Sequence, residues 1–143
     1  MLKKFDENCK KRGLSITVQR QQVYQMLMGT TAHPTVDTVY EVVRRTIPTI
    51  SRATVYRTLE TLADEGLIRR VLHPGSSARY DGNPDPHNHL VCVICGKTED
   101  YEAPLSQTPS CPHTTPSGFD LLDYEIVYRG ICPDCKRGVG DNN

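Results

Sequence analysis

The chain has 143 residues, with 17 basic and 17 acidic side chains and a hydrophobic content of 37%. This length allows a modest core, and the formal net charge of zero does not by itself indicate a partner. No long apolar run, signal peptide or cleavage site is visible, which argues against a membrane protein and favours a reducing cytoplasm.

The charge is divided unevenly along the chain. Residues 1–81 carry 13 basic and 8 acidic side chains, whereas residues 82–143 carry 4 and 9. A basic half suits phosphate contacts, and an acidic half with clustered His and Cys suits cations. The asymmetry therefore predicts a nucleic-acid-binding module joined to a metal-binding module, the alternative being an ordinary scatter of surface charge.

Three helices are predicted at the start of the chain. Residues 2–12 form a short charged candidate, and Thr17 is of the residue type that caps a helix N-terminus. In the second and third helices apolar residues recur at helical spacing, which predicts one buried face for each. These residues are Val23, Tyr24 and Leu27 in the second helix, and Val36, Val39, Tyr40 and Val43 in the third.

A fourth helix has the character of a DNA-reading element. Ser51 can cap it, and an apolar stripe at Val55, Leu59 and Leu62 predicts its buried face. Arginine can chelate a guanine edge, small residues permit close approach to bases, and tyrosine can bond phosphate or pack on a base. The residues predicted to contact DNA are Ser51, Arg52, Ala53, Thr54, Tyr56 and Arg57.

A hairpin is predicted after this helix. Gly66 ends the helix, and residues 67–72 and 78–80 have the composition of two strands around a turn at residues 73–77. A capped helix followed by a hairpin indicates a winged helix, whereas an isolated helix bearing an arginine would more often be an ordinary solvated surface helix.

The domain boundary is predicted at residues 82–86, where two prolines and a glycine cannot continue a helix or a central strand. The proposed division is a DNA-binding domain at residues 1–81, a hinge at 82–86 and a metal-binding domain at 87–143. Within the latter, residues 104–118 are rich in Pro, Ser and Thr and predict a surface loop. The polar, glycine-containing residues 136–143 predict a disordered tail.

Four cysteines form two Cys-x-x-Cys pairs, Cys92 with Cys95 and Cys132 with Cys135. Two such pairs supply the tetrahedral sulfur shell that zinc prefers in closed structural sites. The alternatives are two disulfides, packed thiols, an iron–sulfur centre or rubredoxin-like iron. Cys9 and Cys111 fall outside the pairs and are interpreted as bystander thiols, although Cys111 stands close to His113.

Several segments, taken together and in this order and spacing, resemble the ferric uptake regulator (Fur) family. The resemblance runs from about residue 13 to residue 135, and the segments that carry it are residues 33–35, 51–59, 79–81, 87–90, 92–97 and 132–135. It implies an α+β protein with an N-terminal winged-helix DNA-binding domain and a small C-terminal α/β dimerisation domain. It also implies a homodimeric, metal-dependent transcriptional regulator.

The resemblance further implies a regulatory metal site. Its ligands by family position are His33, Asp81, His87, His89 and Asp100, and iron sensors of the family commonly have Glu where this chain has Asp100. The aspartate therefore points to the peroxide-responsive branch, PerR. Alternation along a strand would place both rings of the His-x-His pair on one face, and three nitrogens with two oxygens suit Fe²⁺ or Mn²⁺. Singly, each residue would more often be a polar loop residue or a turn cap.

In the family-derived mechanism, Zn²⁺ is a scaffold and the regulatory ion favours a closed dimer that represses by binding a palindromic operator. Peroxide then reacts at bound Fe²⁺ and oxidises a ligand imidazole, His33 or His87, so that DNA is released. Such a protein is a sensor and not an enzyme; a hydrolytic site is disfavoured because no His-Glu-x-x-His motif is present. The alternatives are an iron- or zinc-uptake regulator without oxidation, and a thiol-redox module.

Two departures from the family pattern are visible. Val18 stands where relatives usually have Pro, which weakens the sequence signal for a helix start. Tyr124 stands where many relatives have a His of an additional metal site, so that site is expected to be absent.

Overall fold

The structure is a computed structural model that describes residues 2–71, 77–102, 104, 113–122 and 124–140, with the side chains of residues 139 and 140 left aside. The chain forms two compact units, Met1–Pro84 and Asp85–Asn143, called here the N-terminal and C-terminal units. The division falls inside the segment that the sequence marks as a hinge. Within the described residues, no helix is both long enough and apolar enough to span a bilayer.

The N-terminal unit contains four helices and a two-stranded ribbon. The helices are α1 (Leu2–Lys11), α2 (Val18–Met28), α3 (Val36–Val43) and α4 (Arg52–Asp64), and the strands are β1 (Arg69–Val71) and β2 (Arg79–Asp81). β1 and β2 pair antiparallel, with Arg69 opposite Asp81. This arrangement is the winged helix that the sequence predicts. Most of the predicted turn, residues 73–77, lies outside the described residues.

Side-chain caps fix the starts of the helices. The Thr17 hydroxyl accepts a hydrogen bond from the Arg20 backbone N–H at 3.2 Å, so α2 begins at Val18 although proline is missing from that position. Ser51 caps α4 in the same way, with the Thr54 N–H donating at 3.0 Å. Each cap satisfies a backbone donor that the helix itself leaves without a partner. Both predicted caps are therefore present.

The C-terminus of α4 decides where the ribbon starts. The N–H of Leu67 donates to the carbonyl of Leu62 at 2.9 Å, and Gly66 adopts a φ of +65° that allows the chain to reverse there. Because its amide is used to close the helix, Leu67 does not join the ladder. The first strand therefore begins at Arg69, two residues later than predicted, and residue 72 lies outside the described residues. The second strand begins one residue later than predicted, at Arg79, and ends one residue later, at Asp81.

One apolar cluster fills the centre of the N-terminal unit. Phe5 of α1 stacks on Tyr24 of α2 with ring centroids 4.4 Å apart, and α4 contributes Val55, Leu59 and Leu62, as predicted. Burial of such side chains is the main favourable contribution to folding. The cluster comprises Phe5, Cys9, Val23, Tyr24, Leu27, Val36, Val39, Val43, Ile50, Val55, Leu59, Leu62, Leu67, Ile68 and Tyr80.

The C-terminal unit is built on a three-stranded sheet and one helix. The strands β3 (Asn88–Cys92), β4 (Thr98–Tyr101) and β5 (Val127–Gly130) have the order β4-β3-β5, and α5 spans Pro133–Gly140. β3 pairs antiparallel with β4 and parallel with β5. The central strand, β3, therefore has a hydrogen-bonded neighbour on each side, and side chains of both neighbours lie beside those of β3.

Helix α5 contradicts the disordered tail predicted for residues 136–143. Proline at the first helical position has a φ already suited to the helix, and Asp134 in the first turn complements the helix dipole. Arg137 forms an ion pair with Asp134 one turn earlier. These local features outweigh the unfavourable effect of the two glycines on the helix. Residues 141–143, and most of the predicted loop at residues 104–118, lie outside the described residues.

Candidate metal centres and nucleic-acid interface

The four paired cysteines converge within the C-terminal unit. Cys92 ends β3 and Cys95 follows on a tight turn in which Gly96 has a φ of +72°. Cys132 and Cys135 lie just before α5 and in its first turn. The four sulfur atoms lie within 4.8 Å of one another, and Cys95 Sγ is 3.8 Å from Cys132 Sγ. Four thiolates at this separation can hold a tetrahedral ion such as zinc.

Parallel pairing explains how the two knuckles meet. Cys92 is paired with Gly130 in the β3–β5 ladder, so the chain leaving β5 reaches Cys132 beside the end of β3. The Val93 N–H donates to the Gly130 carbonyl at 2.9 Å and extends this contact. The sequence supplies the two pairs, and the sheet brings them together.

The environment of the Cys92 thiol favours its thiolate form. The N–H of Cys132 donates to Cys92 Sγ at 3.4 Å, and this backbone donor lowers the pKa of the Cys92 thiol to about 6. Hydrogen bonding to Cys132 instead raises the pKa of the Cys135 thiol to about 12. The cysteines of the described part, Cys9 included, are free thiols, so the disulfide alternative is absent there. Metal binding would displace the remaining protons.

His33 and Asp81 form a pair inside the N-terminal unit. His33 Nε2 lies 3.4 Å from Asp81 Oδ2, and both residues are buried. The His33 backbone has a φ of +47°, which is uncommon for a residue with a side chain. Arg79 holds this loop by donating from Nη1 to the His33 carbonyl at 3.0 Å, and the Tyr80 N–H donates to the Pro34 carbonyl at 3.0 Å. The loop that carries the imidazole is therefore fixed to β2.

His87, His89 and Asp100 form a second group, inside the C-terminal unit. His89 and Asp100 are directly opposite in the β3–β4 ladder. Asp100 Oδ1 lies 3.1 Å from His87 Nε2 and 3.8 Å from His89 Nε2, and the two rings are 4.4 Å apart. The rings lie on one face, as strand alternation predicts. Two imidazoles and a carboxylate can serve as ligands of a divalent first-row metal.

Glu125 also reaches this group, and sequence reasoning did not identify it. Its Oε1 lies 3.0 Å from His89 Nδ1, although the two residues are 36 positions apart. No motif includes Glu125. It arrives because the His89 N–H donates to the Ile126 carbonyl at 3.1 Å at the start of the β3–β5 pairing. The sequence predicts no strand at residues 127–130, so it contains no signal that points to Glu125.

The outer face of α4 is the candidate nucleic-acid interface. Ala53 and Arg57 are exposed, Tyr56 is 47% exposed, and Thr54 is half-buried. The Ser51 hydroxyl is engaged in capping. The Arg52 guanidinium is paired with Asp37 of α3, and its hydrogen bond lowers the pKa of that carboxyl. An exposed pair of this kind contributes little stability, so Arg52 can exchange it for a phosphate.

Comparison with known proteins places the chain in a family. A family model described as the ferric uptake regulator family matches residues 11–129. A curated relative, the peroxide-responsive repressor PerR of Staphylococcus epidermidis, is 34% identical over 130 residues, which cover 90% of this chain and 85% of that protein.

Two solved structures extend the likeness to the fold. The ferric uptake regulator of Pseudomonas aeruginosa, solved with manganese, superposes with a TM-score of 0.72 at 25% identity and covers 90% of this chain and 97% of its own. PerR from Streptococcus pyogenes, a protein of peroxide sensing and gene regulation, has a TM-score of 0.53 at 27% identity, with 92% and 90% covered. The chain therefore belongs to the ferric uptake regulator family, whose members are metal-sensing, DNA-binding transcriptional regulators.

Proposed function

We propose that this chain is a metal-dependent repressor that senses hydrogen peroxide by oxidation of one of its own metal-binding histidines. The observation that carries the proposal is Asp100, whose short carboxylate lies 3.1 Å from His87 Nε2 and 3.8 Å from His89 Nε2. Similarity to PerR of Staphylococcus epidermidis over most of both chains supports the same conclusion.

The four-cysteine group is proposed to hold a structural Zn²⁺. Among the described residues, few large side chains are buried in the C-terminal unit, and the apolar cluster lies wholly in the N-terminal unit. A closed four-thiolate site contributes folding free energy directly and would stabilise a unit that has little apolar burial of its own. The zinc would connect the end of β3, the turn after it and the start of α5.

The regulatory ion, Fe²⁺ or Mn²⁺, is proposed to bind His33, Asp81, His87, His89 and Asp100. The donor set fits such an ion, because imidazole nitrogens and carboxylate oxygens suit these metals and no thiolate takes part. Residues 1–81 and 87–143 would then be separate domains joined by the hinge at residues 82–86. An ion with ligands from both would couple them, and this coupling is how metal would favour DNA binding.

Peroxide sensing is assigned to the ligand imidazoles. Bound Fe²⁺ would activate hydrogen peroxide, and the imidazole would supply the two electrons that reduce it. One peroxide oxygen enters the ring of His33 or His87, and the other leaves as water. Oxidation of the ring weakens a nitrogen ligand, and with it the link between the two domains.

DNA binding is assigned to the exposed face of α4 in a homodimer that reads a palindromic operator in the cytoplasm. Two copies of α4 would enter successive major grooves. The C-terminal unit exposes large apolar side chains that a second copy could cover. These are Val93, Ile94, Phe119, Leu121, Leu122, Tyr124, Val127 and Ile131.

The deciding experiment is a gel shift on an operator selected from random DNA with Mn²⁺-loaded protein. We expect Fe²⁺-loaded protein to leave this DNA after peroxide, and Mn²⁺-loaded protein to stay bound. If both forms stay bound but require metal, the chain is an uptake regulator that reads metal availability alone. If DNA binding is independent of metal, the proposal is wrong as a whole.

A further inference from the structure

Each imidazole of the C-terminal ligand group has an oxygen acceptor on its Nδ1 atom. His87 Nδ1 lies 2.7 Å from the backbone carbonyl of Asp85, and His89 Nδ1 lies 3.0 Å from Glu125 Oε1. A backbone carbonyl can only accept, so His87 Nδ1 is placed as a donor, and the Glu125 carboxylate offers His89 Nδ1 an acceptor in the same way. With Nδ1 as the donor, Nε2 is the nitrogen of each ring that a metal ion would bind, and the ion would displace any proton that Nε2 shares with Asp100.

The Nε2 atoms face the proposed ion. Asp100 Oδ1 lies 3.1 Å from Nε2 of His87 and 3.8 Å from Nε2 of His89, so the two nitrogens and the proposed ligand carboxylate point into one space. Metal-bound histidine commonly donates its second N–H to a carboxylate or carbonyl, which fixes ring orientation and raises ligand basicity. Glu125 stands in that position relative to His89.

We propose that Glu125 is a positioning residue of the regulatory metal site, which orients His89 through its Nδ1–H and makes Nε2 the metal-binding atom. This inference rests on the proposed function, since it assumes that His89 binds metal. His89 has no exposed surface, so water does not offer its Nδ1 an equivalent partner, whereas the Glu125 side chain is 30% exposed. The carboxylate thus reaches the buried ring from the partly exposed segment that precedes β5.

The β3–β5 ladder holds the two residues in register. The His89 backbone donates to the Ile126 carbonyl at 3.1 Å, directly beside Glu125. Glu99 provides a contrast on the same sheet, because it lies next to Asp100 in sequence but pairs with Lys97 at 2.7 Å and is 56% exposed. Glu99→Gln is therefore a matched control in which a carboxylate outside the ligand group is removed.

The test measures Co²⁺ binding to zinc-loaded protein by visible absorption, in the parent and in Glu125→Ala, Glu125→Gln, Glu99→Gln and Asp100→Ala. We expect Glu125→Ala to raise the Kd for Co²⁺ by about 10- to 100-fold. Glu125→Gln, which keeps an acceptor oxygen, should fall between this variant and the parent. Glu99→Gln should match the parent, and Asp100→Ala should lose Co²⁺ binding.

A spectroscopic readout separates positioning from mere structural support. In the Co²⁺ form, proton NMR should show an exchangeable, hyperfine-shifted signal from the Nδ1–H of His89. This signal should be lost in Glu125→Ala. The zinc content and the melting temperature of the cobalt-free protein should be the same in this variant as in the parent. A changed absorption band at Co²⁺ saturation in Glu125→Gln would mean that Glu125 is itself a ligand, which contradicts the proposal.

The outcomes distinguish this inference from the proposed function. If the parent fails to bind Co²⁺ beyond its zinc, the regulatory site and the role of Glu125 are both wrong. A second outcome is that the parent binds Co²⁺, Asp100→Ala does not, and the Kd of Glu125→Ala lies within about twofold of the parent value. Such a difference is well below the loss expected for a residue that positions a metal ligand, so only the role of Glu125 would be wrong. If Glu125→Ala does not fold, Glu125→Gln decides the question by the same two measurements.

Discussion

The hydroxyl of Tyr80 donates a hydrogen bond of 2.6 Å to Glu60 Oε1 and so joins β2 to α4. Arg70 of β1 forms an ion pair with the same carboxylate. Tyr80 has no exposed surface and directly precedes Asp81, one of the proposed ligands. The helix that would read DNA is therefore connected, through a partly buried hydrogen bond, to the strand that carries a proposed metal ligand.

The first prediction concerns this hydrogen bond. Tyr80→Phe should lower the free energy of unfolding by about 1.5 kcal/mol, because a bond to a charged acceptor is lost while Arg70 still neutralises Glu60. Chemical denaturation checks this, with Tyr56→Phe as the control because that side chain is 47% exposed. An equal loss in both variants would contradict the assigned role.

The same tyrosine gives a prediction for alkaline pH. Burial, and next the hydrogen bond to Glu60, raise the pKa of Tyr80 above its ordinary value. Because the pKa is raised on folding, the contribution of Tyr80 to the free energy of unfolding is fully present below the unfolded-state pKa of about 10. This contribution is lost as the pH rises above that value, because the tyrosine of the unfolded chain ionises first. Ultraviolet titration should show a late-ionising tyrosine that disappears in Tyr80→Phe.

The second prediction concerns zinc. Purified protein should retain about one tightly bound zinc per chain, and Cys95→Ser should lose it and become monomeric or unfolded, because one of four thiolates is removed from a closed site. Metal analysis and size-exclusion chromatography measure both effects. Cys9→Ala is the matched control, since this thiol is buried in the apolar cluster of the other unit. A folded dimer without zinc would refute the scaffold role.

The third prediction concerns the DNA-reading helix. Arg57→Ala should weaken binding to the selected operator by about 1–3 kcal/mol, because a contact with a base edge is removed in each half-site. Metal content and dimerisation should be unchanged. Arg137→Ala removes an exposed guanidinium from α5 instead and should bind as the parent does. Arg57 is not a base-reading residue if its variant still distinguishes operator from random DNA as the parent does.

The fourth prediction concerns the oxidised product. Peroxide treatment of Fe²⁺-loaded protein should add one oxygen atom to His33 or His87, as measured by peptide mass spectrometry, and Mn²⁺-loaded protein should resist. Asp100→Glu should keep metal-dependent DNA binding with a weaker peroxide response, since a longer carboxylate changes the geometry around the ion. Peroxide sensing would have to be abandoned if neither histidine gained oxygen in the Fe²⁺ form.

Local sequence determined a large part of this protein. Thr17 and Ser51 marked helix starts because a hydroxyl at that position satisfies an amide three residues later. Alternation at the start of β3 predicted that His87 and His89 lie close together, and the apolar stripe of α4 predicted which of its apolar residues are buried, although not the buried Thr58. These features depend only on neighbours along the chain and on the fixed periods of helix and strand, so they can be read without a structure.

The remaining features depended on contacts between distant residues. Glu125 meets His89 only because β5 pairs in parallel with β3, and Arg52 is engaged by Asp37 only because α3 and α4 pack together. β1 starts later than predicted because the Leu67 amide closes α4. Neither the pairing of strands that are distant in sequence nor the choice of ion-pair partner is encoded by local periodicity, because each is selected by the packing of whole elements. Sequence thus determined the ligand types and their elements, and tertiary structure decided which carboxylate supports which imidazole.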